Sequence, residues 1–205
     1  MPMHVGLATG FANHAPIDDR KFVREELAQL TLAEELGFES VWITEHHFSE
    51  YSVSPNPLFY LGHLAARTKR MRLGTQVMVV PWHDPVRLTE EIVLLDHVSN
   101  GRAIIGFGRG LARMEFEGMR VDQSEARERF DESVGMIMSA METGYIGQWQ
   151  DLQATSPRDS PAPDPLAERP GLLRRRLACI DGGGRAAWPR PAISWPADGG
   201  GPCAE

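Results

Sequence analysis

Apolar positions in residues 1–141 fall into two alternating patterns. Four short runs are mainly apolar, without regular polar alternation: HVGLAT (4–9), SVWIT (40–44), MRLGTQVMVV (71–80) and RAIIGFG (102–108). Apolarity without polar alternation predicts strands buried on both faces of a parallel sheet. Between the runs, apolar residues recur at helical spacing. Phe22, Val23, Leu27, Leu30 and Ala33 mark one helix face, and Leu58, Leu61, Leu64 and Ala65 a second, with Pro57 in a tolerated first-turn position. A third helix opens at Asp84-Pro85, carries Leu88, Ile92 and Leu95, and stops at Asn100-Gly101. A fourth starts near Asp122, with Glu125 three residues on, and shows Phe130, Val134, Ile137, Met138 and Met141.

The strands begin near residues 4, 40, 71 and 102, which is a βα repeat. An eight-unit barrel and an open doubly wound sheet both use such units. A dinucleotide-binding sheet carries a glycine-rich turn after its first strand, and Thr9-Gly10-Phe11-Ala12-Asn13 lacks that pattern, so the barrel reading gains. A complete barrel takes about 250 residues. The repeat stops near residue 145, which is half of that expectation.

Composition separates the rest of the chain. Of the 205 residues, the last 55 contain 9 Pro, 7 Gly, 9 Ala and 7 Arg. This segment offers little to bury and is expected to be irregular, giving a division into residues 1–150 and 151–205. Its charges balance, so the net charge of −7 belongs to the body. An acidic body gives no electrostatic reason to bind nucleic acid or anionic lipid. No run approaches a membrane span, and the start MPMHVGLATGF has no signal-peptide pattern, so a cytoplasmic protein is expected. Both cysteines, Cys179 and Cys203, lie beyond residue 150, leaving no thiolate metal site in the body.

In parallel βα architectures reactive groups sit at the C-terminal ends of strands. Three segments qualify: Thr44-Glu45-His46-His47-Phe48-Ser49-Glu50-Tyr51, Val80-Pro81-Trp82-His83-Asp84 and Gly108-Arg109-Gly110. Strand alternation puts Val41 and Ile43 on one face and Trp42, Thr44 and His46 on the other. Aliphatic residues favour the helices, which places His46 in the mouth of the cleft. An imidazole beside Glu45 there could give or take a proton near neutral pH. The plain alternative is a pair of hydrogen-bonded loop histidines. A metal held by Glu45, His46, His47 and His83 is disfavoured, because adjacent residues on an extended chain diverge. The glycines around Arg109 allow close approach to a ligand or simply make a tight turn, and Arg109 offers a planar fork for phosphate. Arg127, in the first turn of the fourth helix, is either a phosphate ligand or an exposed helix arginine.

Taken together, these residues form a recognisable set. Gly37-Phe38-Glu39-Ser40-Val41-Trp42-Ile43-Thr44-Glu45-His46-His47-Phe48 resembles the second-strand signature of bacterial luciferase and its flavin-dependent monooxygenase relatives. The similarity continues through Asn56-Pro57, Leu73-Gly74-Thr75, His83-Asp84-Pro85-Val86-Arg87, Leu94-Leu95-Asp96, Ser99-Asn100-Gly101-Arg102, Gly106-Phe107-Gly108-Arg109-Gly110, Phe116, Asp122, Arg127 and Phe130-Asp131-Glu132. It covers nearly all of residues 3–141.

The resemblance implies an α/β luciferase-like (βα)8 TIM barrel, here incomplete with about four units and an irregular C-terminal tail. It also implies reduced flavin mononucleotide (FMN) as cofactor, supplied by a separate flavin reductase, with dioxygen as co-substrate for oxidation of a small organic molecule. His46 falls on the family's catalytic histidine. Gln76 and Val77 fall where the family has a non-prolyl cis peptide beneath the flavin ring. Gly108 falls where luciferase has a reactive cysteine, and Arg109 and Arg127 match arginines that approach the flavin phosphate. Ala112 replaces a luciferase tyrosine, which argues against light emission. The family draws further phosphate ligands and much of its substrate pocket from the second half of the barrel, where this chain has Pro, Gly, Ala and Arg. A truncated or frame-shifted product is therefore expected, with weak flavin binding. A half-barrel exposes sheet edges, so a dimer or other self-association is expected too. A non-catalytic partner subunit and a deazaflavin-dependent oxidoreductase are the alternatives.

Overall fold

The main helices and strands in this computed structural model follow from a few local signals. The structure describes residues 4–14, 17–49 and 52–143, and the backbone of 177–179. In chain order the elements are β1 (Gly6–Thr9), α1 (Asp19–Glu35), β2 (Ser40–Ile43), α2 (Pro57–Arg67), β3 (Arg72–Thr75), β4 (Met78–Val79), a 3-10 turn (Val80–Trp82), α3 (Pro85–Val98), β5 (Ala103–Gly108), α4 (Arg113–Met119), a second 3-10 turn (Gln123–Glu125), α5 (Ala126–Thr143) and β6 (Leu177–Cys179). Helix starts are capped by short polar side chains that accept orphan backbone N–H groups. Asp18 accepts from Lys21 N, Asn56 from Phe59 N, and Asp84 from both Val86 N and Arg87 N. Helix α3 ends on two successive left-handed residues, Asn100 (φ 55°) and Gly101 (φ 74°). No helix among the described residues is long and apolar enough to cross a membrane.

All the strand pairs are parallel, and neighbours follow chain order from β1 to β2 to β3 to β5. That is the order of consecutive barrel strands, each returned by a helix on the outer face. Val41, Ile43, Leu73, Ala103, Ile105 and Phe107 bury that outer face against α1, α2, α3 and α5, through Leu30, Leu61, Leu88, Ile92 and Ile137. Fully burying one such side chain stabilises the fold by about 1.5–3 kcal/mol. The inner face holds Trp42, whose ring fills the space over Gly74.

The run expected as one strand over 71–80 is two. Gly74 lies opposite Ile104 but Met78 lies opposite Phe107, so four steps along this strand match three along β5. The extra residue is a bulge at Gln76 and Val77, which are joined by a cis peptide bond. Thr75 closes the gap in the ladder. Its hydroxyl donates to Gly106 O (3.1 Å) and accepts from Gly106 N (2.9 Å).

Four other expectations need correction. β1 is not buried on both faces: its residues are exposed or half-buried, because no strand among the described residues pairs its outer edge. Asp122 caps the second 3-10 turn, through Ser124 N, and α5 starts only at Ala126. Helix α4 was not anticipated. Finally, the segment beyond residue 150 is not wholly irregular, since Leu177–Cys179 pairs with β5 from Ile105 to Phe107 and covers part of an edge expected to be open. The proposed division at residue 150 lies outside the described residues.

Candidate active site

The C-terminal ends of β2, β4 and β5 open onto one cavity of about 580 Å³, within the usual range for ligand sites. Its floor is the bulge, Gln76 and Val77, followed by Val79. The loop after β2 brings Thr44, Glu45 and His46, and the loop after β5 brings Gly108, Arg109 and Gly110. Helix α4 adds Glu115, and α5 adds Arg127, Phe130 and Asp131. All six residues singled out from the sequence, His46, Gln76, Val77, Gly108, Arg109 and Arg127, therefore line the same space.

Close approach explains the glycines. A Cβ on Gly108 would overlap Val77 Cγ2, and one on Gly110 (φ 79°) would press on Val79, Trp82 and Phe116. The walls come together there because neither residue has a side chain.

The adjacent histidines part company as strand alternation predicts, but their partners differ from expectation. His46 lines the cavity, and its Nδ1 lies 3.2 Å from Glu115 Oε1. His47 turns away, with Nε2 2.9 Å from Glu45 Oε1. The same Glu45 oxygen lies 2.7 Å from His83 Nε2, while Glu45 Oε2 accepts from Val79 N at 2.7 Å. Glu45 thus serves His47 and His83, not His46 as its neighbouring position suggested. Neither His47 nor His83 lines the cavity. Glu115 escaped the sequence reading because its partner is 69 residues away and its helix has only seven residues. The available signal was an acidic residue beside Phe116, in a stretch just after a strand end.

Burial of Glu45 would raise its pKa. The hydrogen bonds from His47 and His83, the charge of His83 and the Val79 N–H outweigh burial and hold it below 4.5. At His83 burial acts to lower the pKa, and the Glu45 hydrogen bond and the charges of Glu45 and Glu91 raise it above 6.5. This buried cluster ties the loop after β2 to β4 and to the turn that follows it. No group of His, Cys, Asp and Glu among the described residues is arranged to hold a metal ion.

Arg109 is exposed and makes no ion pair among the described residues, whereas Arg127 Nε stands 3.7 Å from Asp131 Oδ2. Two polar atoms in the cavity wall, Thr44 Oγ1 and Trp82 Nε1, are buried without a hydrogen-bond partner. Buried polar atoms of this kind are ones that a bound molecule can satisfy.

Comparison with known proteins gives this cavity a context. Residues 3–172 match the luciferase-like monooxygenase family, so the match runs past residue 141, where the resemblance read from the sequence ended. The chain is 32% identical over 152 residues to the oxygenase component of the flavin-dependent trigonelline monooxygenase of Acinetobacter baylyi, covering 73% of this chain and 42% of that protein. It is 36% identical over 115 residues to the alkanal monooxygenase alpha chain of Photorhabdus laumondii, covering 56% of this chain and 32% of that one. The crystal structure of monooxygenase RslO1 from Streptomyces bottropensis superposes with a TM-score of 0.66 at 33% identity, over 72% of this chain and 45% of that chain. The chain thus spans less than half the length of these relatives. The family match over most of the sequence, on a sheet with the strand order of a barrel wall, establishes that the chain belongs to the luciferase-like monooxygenases.

Proposed function

We propose that this chain forms the flavin-binding side of a monooxygenase that uses reduced FMN and dioxygen to oxidise a small organic substrate. The observation that carries the reading is convergence: His46, the Gln76–Val77 bulge, Gly108, Arg109 and Arg127 come from four separate segments and line one cavity. In this reading Gln76 and Val77 lie under the flavin ring, and Arg109 and Arg127 balance the phosphate. His46 moves a proton at the reacting groups. Bound reduced flavin supplies the electrons that activate dioxygen; the chain supplies orientation, charge and exclusion of water. Thr44 and Trp82, whose Oγ1 and Nε1 have no hydrogen-bond partner, line the same cavity, which is consistent with a polar ligand there.

A reductase partner follows from the same reading, because the similar Acinetobacter protein is an oxygenase component. Self-association along the sheet edge at β1 also belongs to it and is read by sedimentation.

The test is titration of the purified 205-residue chain with FMN, followed by substrate and peroxide assays with a flavin reductase present. Saturable binding that weakens about tenfold or more in Arg109→Ala supports the proposal, since hydrogen bonds to charged groups contribute about 1.5–3 kcal/mol. No binding of oxidised or reduced FMN, with binding of a deazaflavin instead, would replace the cofactor. Bound flavin whose electrons all leave as hydrogen peroxide would fit the supporting-subunit reading.

A further inference from the structure

We propose that Glu115 is the positioning residue for His46, holding its ring as the Nδ1–H tautomer so that the lone pair lies on Nε2 and the group takes a proton. The proposal rests on the reading above that His46 works on the reacting groups. Glu115 is buried, and its Oε1 meets two donors, His46 Nδ1 at 3.2 Å and the backbone N–H of His47 at 2.9 Å. A carboxylate has no proton to give, so each nitrogen facing it must donate. A neutral imidazole that donates at Nδ1 carries its lone pair at Nε2.

The arrangement is fixed before the ring arrives. The His47 N–H belongs to the main chain and sets the carboxylate's orientation. Helix α4 is anchored next to Glu115 by Phe116, which is 1% exposed and packs edge-on against Trp82 at 5.4 Å. At its far end Phe48 closes over Gly118, where a Cβ would overlap the phenyl ring. Both anchors lie on the loops that carry His46 and His83, so α4 and the histidine loop form one packed unit. When Nε2 accepts a proton, the ring already stands hydrogen-bonded to the Glu115 carboxylate, so no regrouping of the donor side is needed. Glu45 makes comparable contacts with His47 and His83, but those rings do not line the cavity. Among the described residues, the Glu115 pair is the one that joins a carboxylate to an imidazole at the cavity wall.

The test reads the tautomer in the ligand-free full chain, by long-range ¹H–¹⁵N correlation spectra with ¹⁵N-labelled histidine. His46→Gln assigns the signals. The wild-type ring is expected to show Nδ1–H. Glu115→Gln keeps an acceptor oxygen and should retain that tautomer, whereas Glu115→Met should lose it in favour of Nε2–H, the form free histidine prefers in water. With flavin and substrate, Glu115→Met should lower kcat at least about tenfold with a smaller change in KM, as loss of correct proton transfer does. An Nε2–H ring in the wild type would overturn the inference, and this reading needs no variant to fold. An unchanged tautomer in folded Glu115→Met would overturn it equally. Because the spectra contain no cofactor, failure to bind flavin would remove the functional reading and leave the tautomer result standing.

Discussion

Replacing Glu45 tests the buried cluster that ties two loops of the cavity together. In Glu45→Leu three donors lose their acceptor: Val79 N, His47 Nε2 and His83 Nε2. Val79 is 5% exposed, so its stranded N–H costs about 1–3 kcal/mol. The two rings are 12% and 24% exposed, so water reaches them in part, and each loss counts about 1 kcal/mol. Leucine returns about 1–2 kcal/mol of apolar burial, leaving a net loss of about 1–4 kcal/mol by urea unfolding at pH 6. Glu45→Gln keeps the shape without the charge, and isolates the pH dependence. The Glu45 pKa is lowered in the fold, so its contribution is present above pH 4.5 and is lost as pH falls through the lowered value. The His83 pKa is raised, so its contribution is full below pH 6.5 and is lost as pH rises through the raised value. The stability difference between wild type and Glu45→Gln should therefore be largest between pH 4.5 and 6.5 and shrink on both sides. Glu91 also raises His83 and survives in the variant, so its part cancels from the difference. A difference that stays flat from pH 4 to pH 9 would refute the charge pairing.

Three further outcomes are expected. His46→Ala should abolish coupled oxygenation while leaving flavin binding and thermal stability nearly unchanged, whereas His47→Ala should chiefly lower stability, by about 1–2 kcal/mol; equal activity losses without a stability change would show that the two rings are misassigned. Gly108→Ala should cost about 1–3 kcal/mol through overlap with Val77, and Val77→Ala in the same chain should restore most of it, so additive losses in chemical denaturation would refute the contact. Arg102→Ala removes hydrogen bonds to Ala65 O, Thr68 O, Thr68 Oγ1, Met71 O and Ser99 O, which close the end of α2; a loss of about 3 kcal/mol or more is expected, and a thermal midpoint within a degree of wild type would count against it.

What could be read from the sequence depended on the range of the signal. The caps Asp18, Asn56 and Asp84 act within three residues, and Leu61, Leu64, Leu88 and Ile92 repeat at helical spacing, so the helices were legible. His46 could be assigned to the inner side by counting from Val41. The bulge was not legible, because MRLGTQVMVV does not alternate strictly between polar and apolar positions, so an added residue leaves no break in its pattern. Helix α4 has seven residues and an alanine in place of a polar cap, which gives too little period to detect. The carboxylate partners of the histidines were not legible for a different reason. Glu45 is adjacent to His46 in sequence, but successive side chains on an extended chain diverge. Its partners are His47, two residues on, Val79 N in β4 and His83 just after the turn that follows β4, and the partner of His46 comes from α4; only the assembled sheet brings these distant segments together.

The additional residue at 76–77 also sets a phase. Leu73 faces the helices, and strict alternation from there would send Val77 and Val79 to the helices and Met78 inward. Instead Met78 and Val80 join the outer core while Val77 and Val79 line the cavity. The half-step inverts the faces of everything that follows it until the strand ends. Removing one residue there would exchange the two sets, placing a methionine in the cavity wall and pulling valines out of it. Length is thus a stricter constraint than identity in this segment. No other number of residues at this point keeps the cavity and the core on their own sides.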